Sequence, residues 1–234
     1  MKHIIFSLLV LLVVTCAWGC ASPEDSGQKA KAWEVVFDGS NLDFWKPSDY
    51  WKIQDDSLHM FRNDKAAKGS SGYCVSKKKY QNFELKFEWR ISSQGNSGVK
   101  YRYNQDNKGK QSLEYQVLDD IGLKDNKDVF NSASIYGVKV VPTDKVLKPI
   151  ADGVFNTARI IANENIVQHW LNGKKVAEIN ISSKEWTDAY RQYNKKGVVN
   201  ADRDAALMMK AGSIVLQNKG QEVWYRNMYI RELP

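Results

Sequence analysis

The chain has 234 residues, 34 basic and 27 acidic side chains, a formal charge of +7 and three cysteines. The basic excess is spread out, apart from Lys77-Lys78-Lys79 and Lys195-Lys196, and comes without an arginine-rich helix, zinc-finger spacing or RNA-binding signature, so nucleic-acid binding is not expected. Trp33 to Pro234 is long enough for one large core, and neither an internal repeat nor a second-domain linker interrupts it.

Met1-Lys2-His3 precedes a predominantly apolar run from Ile4 to Val14, too short to span a bilayer. A basic start followed by such a run reads as a signal peptide over residues 1–19. Ala17-Trp18-Gly19-Cys20 resembles a lipobox, which makes Cys20 the expected lipidation site, with Cys16 a weaker competitor. Residues 20–32 are small and polar and read as a flexible tether. The expected location is the cell envelope, with a lipid on Cys20 as the membrane contact. Cys74 then stands alone in the 33–234 domain, so an intramolecular disulfide is not expected there.

Trp33 to Phe37 alternates and ends at the turn Asp38-Gly39-Ser40-Asn41. Short extended pieces follow around Trp45, Trp51 and Leu58 to Phe61, then a polar loop from Asn63 to Gly72 and an extended Gly72 to Ser76. Three alternating segments come next: Phe83, Leu85, Phe87 and Trp89; Val99, Tyr101 and Tyr103; Tyr115 and Val117. Period-two alternation makes each a strand with one apolar and one polar face. If the three are neighbours, Glu88, Lys100, Arg102, Glu114 and Gln116 share one charged plateau, the alternative being an ordinary solvated sheet face.

A long connection runs from Asp120 to Gly153, and connections of that length are usually functional. Thr157 to Ala162 and Ile166 to Leu171 then read as strands, and Asn172-Gly173 is a hairpin turn into Lys175 to Ile181. Trp186 to Lys210 is the one helix-prone stretch, weakened by Gly197 and Val198-Val199. Ser213 to Gln217 and Val223 to Ile230 close the chain as strands. About a dozen short strands with close turn signals indicate an all-β sandwich.

Several pieces then match one family in order: Phe37-Asp38-Gly39; Phe83-Glu84-Leu85 with Glu88-Trp89-Arg90; Gly95-Asn96-Ser97-Gly98-Val99; and Glu114-Tyr115-Gln116-Val117-Leu118-Asp119. Tyr136-Gly137, His169-Trp170-Leu171-Asn172-Gly173, Leu216-Gln217 and Arg226-Asn227 continue the series. The chain resembles the 3-keto-disaccharide hydrolases. The resemblance implies a concanavalin-A-like jelly-roll sandwich of two antiparallel sheets, common in lipoproteins of Bacteroidota, acting on glycosides oxidised at C3. One departure is that Asn218-Lys219-Gly220 stands where the family often carries His-Gly.

A C3 ketone acidifies the C2 proton, and the resulting enolate can expel the C1 substituent before water adds. Such chemistry needs a base, an enolate stabiliser and an acid. Glu114 or Glu88 is the candidate base, Arg102 or Lys100 the stabiliser, and His169 the acid or base. Gln116, and with the resemblance Tyr136 and Gln217, are candidate substrate contacts. Glu114-x-Gln116-x-x-Asp119 also parallels the carboxylate trio of retaining glucanases, but an amide in the middle cannot relay a proton. A divalent metal is left open, with Asp119 its candidate ligand in an acidic loop with Asp120, Asp125 and Asp128. The alternative function on the same fold is a non-catalytic carbohydrate-binding lipoprotein.

Overall fold

The computed structural model describes residues 29–61, 72–104, 112–123, 128–141, 147–148, 150, 153–193 and 201–234. The signal, Cys20 and most of the tether lie outside them. Thirteen strands, two α-helices and a short 3-10 helix over Asp128–Phe130 are formed among these residues. They are β1 (Glu34–Phe37), β2 (Trp45–Lys46), β3 (Trp51–Gln54), β4 (Ser57–Met60), β5 (Cys74–Tyr80), β6 (Phe83–Ile91), β7 (Asn96–Tyr103) and β8 (Leu113–Leu118). β9 (Asn156–Asn163), β10 (Ile166–Leu171) and β11 (Lys174–Asn180) follow, then α1 (Lys184–Tyr193), α2 (Ala201–Met208), β12 (Gly212–Leu216) and β13 (Val223–Glu232).

The strands make two antiparallel sheets, as a jelly-roll sandwich requires. One has the order β11-β10-β9-β6-β13-β4-β3, with β1 also on β13; the other runs β2-β5-β12-β7-β8. Turn chemistry fits local need. Asp55 and Asp56 take left-handed φ values of 49° and 54° between β3 and β4, and Asn172 and Gly173 take 48° and 82° between β10 and β11. Both are places where Asp, Asn and Gly lose least.

This order corrects the plateau expected from the three alternating segments. β7 and β8 are neighbours, but β6 lies in the opposite sheet, between β9 and β13. The apolar faces meet across the core instead of side by side. Phe83 packs edge-on to Tyr101 with ring centroids 5.9 Å apart, and Phe87 to Tyr115 at 5.5 Å. Burying such a side chain contributes about 1.5–3 kcal/mol, and a good ring pair adds about 0.5–1.5 kcal/mol. Trp45, Trp51 and Trp186 are core residues too, and Trp45 and Trp51 satisfy their indole N–H groups on the carbonyls of Val36 and Gly72. Cys74 is buried and its thiol pushed well up by desolvation, an inert packing residue.

The helix-prone stretch does form helix at both ends. Ser183 Oγ caps α1 by accepting from Trp186 N at 3.1 Å. Trp186 and Tyr190, one turn apart, stack at 4.5 Å and give α1 its buried face. Gly197 and Val198-Val199 lie outside the described residues.

Candidate active site

β8 turns Tyr115 into the core, against Phe87 and His169. Strand alternation therefore sends Glu114 and Gln116 to the outer face of the five-stranded sheet. The register pairs Lys100 of β7 with Glu114 and Gly98 with Gln116. At the end of β12, Gln217 N donates to Gly98 O, which brings the Gln217 side chain onto the same patch.

These side chains lock together. Lys100 Nζ lies 2.9 Å from Glu114 Oε2, and Gln217 Nε2 donates to the same oxygen at 2.8 Å. The other oxygen faces Gly98, where an ideal Cβ would stand 2.7 Å from Oε1. The missing side chain is what lets that oxygen lie where it does. Glu114 is only 5% exposed, so its charge is held in a poorly solvated place by one cation and one amide. Burial by itself would lower the Lys100 ammonium, but the charge of Glu114 and the hydrogen bond to it outweigh burial and leave its pKa raised.

Two buried polar atoms on this patch, Gln116 Oε1 and Gln217 Oε1, have no hydrogen-bond partner among the described residues, and neither has Asn218 Nδ2, which lies against Gly72. An orphaned buried group costs about 1–3 kcal/mol, which a bound water or a ligand group reaching in would offset. Aromatic side chains stand nearby. Tyr73 packs edge-on to Tyr103 at 6.5 Å, and its phenol is raised by burial, with Lys100 opposing and Glu114 adding to the shift. Tyr193 of α1 meets Tyr136 at 5.6 Å, and its phenol is raised by burial, then by Tyr136 and Glu114.

The long connection after β8 builds one wall of the site. Ala133 N donates to Gln116 O, Gln116 N to Ser134 O, and Tyr136 N to Glu114 O, so residues 133–136 lie along the free edge of β8. Gly137, at φ 72°, leaves the space that Tyr193 fills, since a Cβ there would be 2.6 Å from the Tyr193 ring. Tyr136 is thus fixed next to Glu114 by backbone pairing.

The structure brings Glu114, Lys100, Gln116, Gln217 and Tyr136 together, and separates four other candidates from them. Glu88 sits on the outer face of the opposite sheet, where it pairs with Arg226 at 2.8 Å and accepts from Asn227. His169 is fully buried between the sheets, hydrogen-bonded to Tyr101 Oη at 2.8 Å and Ala133 O at 2.9 Å. Desolvation pushes its pKa down to about 4, so it is a neutral core imidazole and not the site's acid.

Arg102 is displaced by a bulge. Tyr103 pairs with Ser213 and Lys100 with Val215, one residue more on β7 than on β12, and Arg102 takes φ 49°. Its guanidinium goes to Gln81 O at 2.7 Å and Met208 O at 3.3 Å, and desolvation lowers it to about 10. Asp119 spends both carboxylate oxygens on the backbone N–H groups of Gln94, Ile121 and Gly122. It is a loop clamp, and no group of three or more His, Cys, Asp or Glu side chains suited to a metal ion occurs among the described residues. Asp125, the other member named with Asp120 and Asp128, lies outside them. Reading the sequence alone passes over Gly98 and Tyr193: Gly98 lies inside a matched motif whose glycine has no chemistry of its own, and Tyr193 carries no signal beyond a helical stretch.

The model of the 3-keto-alpha-glucoside-1,2-lyase-like domain matches residues 32–231. The chain belongs to that family. It is similar to a 3-keto-disaccharide hydrolase of Bacteroides thetaiotaomicron, 29% identical over 247 aligned positions that cover 87% of this chain and 79% of the relative. Among solved structures it is similar to a candidate glycosyl hydrolase of Parabacteroides distasonis, with a TM-score of 0.69, 26% identity and coverage of 86% and 94%. A Bacillus subtilis protein of galectin-like fold, 12% identical at a TM-score of 0.52 over 89% of this chain and 99% of that one, shares the fold alone. Within the 3-keto-alpha-glucoside-1,2-lyase-like family match lie both the Glu114–Lys100 pair and Asn218. Asn218 uses Oδ1 on Gly220 N at 2.9 Å and leaves Nδ2 unpartnered beside Gly72.

Proposed function

We propose that this protein is a glycoside-cleaving enzyme acting on 3-keto-glycosides and 3-keto-disaccharides by elimination followed by hydration. The observation that carries the reading is the Glu114 carboxylate, with one oxygen fixed by Lys100 and Gln217 and the other packed over Gly98 and held by neither. Glu114 Oε1 takes the C2 proton of the keto-sugar. The electron pair moves into the C2–C3 bond and the negative charge onto the C3 oxygen, where Lys100 supplies the compensating charge. The enolate then expels the C1 substituent, which leaves with a proton. Tyr193, partly exposed and packed edge-on to Tyr136 beside Glu114, is the donor for that proton. Water adds at C1 of the unsaturated sugar and the proton returns to C2, for a net hydrolysis. Gln116, Gln217 and Asn218 offer their unpartnered atoms to sugar hydroxyls.

The test is incubation of the purified protein with a 3-keto-glucoside and with the same glucoside unoxidised. Aglycone release from the first alone is the expected result, and release from neither, across several aglycones, sinks the proposal. Export with lipidation at Cys20 belongs to the same reading and rests on the N-terminal sequence. A Cys20→Ala form should leave the membrane fraction, and its retention there would argue against a lipid anchor.

A further inference from the structure

The outer face of the eight-stranded sheet carries a cavity of about 380 Å³, within the range of small-ligand sites. Register pairs Trp170 with Arg159, Arg159 with Lys86, and Lys86 with Tyr229, so these four residues form one row across β10, β9, β6 and β13. Three strand spacings of about 4.8 Å put the Trp170 and Tyr229 backbones roughly 14 Å apart at opposite ends of the row. Both rings line the cavity, with Glu88 and Asn227 beside them. Asn227 takes φ 48° at an irregularity in the β13 register, and that bulge turns its amide onto Glu88.

The cations around this groove are already engaged. Arg159 pairs with Glu84 and stacks on Trp170, Arg226 pairs with Glu88 and stacks on Phe155, and the Lys86 ammonium sits over Trp33. What remains for a ligand is the exposed Tyr229 ring and the half-buried Trp170, one part of which Arg159 covers, with amide, hydroxyl and carboxylate edges between them. A pyranose matches that pattern, because its C–H face is apolar and its rim is a ring of hydroxyls. The geometry points to a second carbohydrate-binding site on this face, taking a short neutral oligosaccharide, on the opposite side of the sandwich from Glu114. The site holds glycan without cleaving it. It needs neither the C3 ketone nor Glu114.

The test uses isotope-labelled protein titrated with cellotetraose, maltotetraose and, as the acidic counterpart, tetragalacturonate. The Trp170 indole N–H is read by NMR, assigned by its loss in Trp170→Phe, and affinity is read by calorimetry. A neutral tetrasaccharide should move that signal, and Tyr229→Ala, at an exposed position, should weaken binding about tenfold while leaving cleavage of a small 3-keto-glucoside unchanged. No movement with either neutral sugar, movement with the acidic one only, or binding indifferent to Tyr229→Ala overturns the assignment.

Discussion

Gly98 stands against Glu114 so closely that a single methyl group on it would lie 2.7 Å from the Glu114 Oε1 atom. The contact is with the one carboxylate oxygen that neither Lys100 nor Gln217 holds. A residue without chemistry of its own thereby decides where the base can sit.

Gly98→Ala is expected to cut kcat/KM for a 3-keto-glucoside by about a hundredfold, the scale of a catalytic group displaced by an ångström. Some loss of melting temperature should accompany it, because Gly98 is buried and the methyl must push aside a carboxylate that Lys100 and Gln217 hold. Retained activity would mean that Oε1 is not the atom that takes the proton.

Glu114→Gln keeps the shape and removes the base, so kcat should fall by about 10²- to 10⁴-fold. Thermal unfolding checks the alternative. A collapse in stability together with the loss of activity would make Glu114 a structural partner of Lys100.

Glu114 holds the Lys100 pKa above the ordinary lysine value of 10.5, so the pair's contribution to stability is complete below that pH and is lost as pH rises through the higher folded value. Lys100→Met should therefore flatten part of the decline in melting temperature above pH 10.5. The comparison is between the two proteins' melting curves, since other lysines and tyrosines titrate in both.

For His169 the sign is reversed. Its folded value near 4 lies below the ordinary 6.5, so between them the unfolded chain takes up a proton that the folded protein refuses, and stability falls as pH drops through that window. His169→Gln should lose this acid-side decline. Its cleavage rate at neutral pH should stay close to that of the parent, which distinguishes a core imidazole from a catalytic one.

Arg102→Met leaves the carbonyls of Gln81 and Met208 without their donor, at a cost of about 2–4 kcal/mol in unfolding free energy. Chemical denaturation measures this. KM should hold steady, because the guanidinium faces the β5–β6 turn and α2 rather than Glu114.

Much of the fold is legible because strand alternation is strong in β6 to β8 and because Asn172-Gly173 forces its hairpin. Alternation states which side chains share a face, not which sheet a strand joins. Phe83 and Phe87 satisfy the same pattern whether they neighbour Tyr101 and Tyr115 or oppose them, and they oppose them. Arg102 follows Lys100 by two, and only the bulge at Arg102 takes it off the shared face. His169 alternates like any strand residue, and its burial depends on Tyr101 and on Ala133, far away in the chain. Glu114, Lys100, Gln116 and Gln217 were legible as chemistry-bearing residues, whereas Gly98 matters through a side chain it lacks.

The segment 133–136 pairs with β8 and thereby occupies the outermost backbone donors and acceptors of the five-stranded sheet on that side. An open sheet edge is a template for pairing with another chain. The strip that positions Tyr136 therefore also guards the protein against edge-to-edge aggregation. Shortening it would put solubility at risk along with the site.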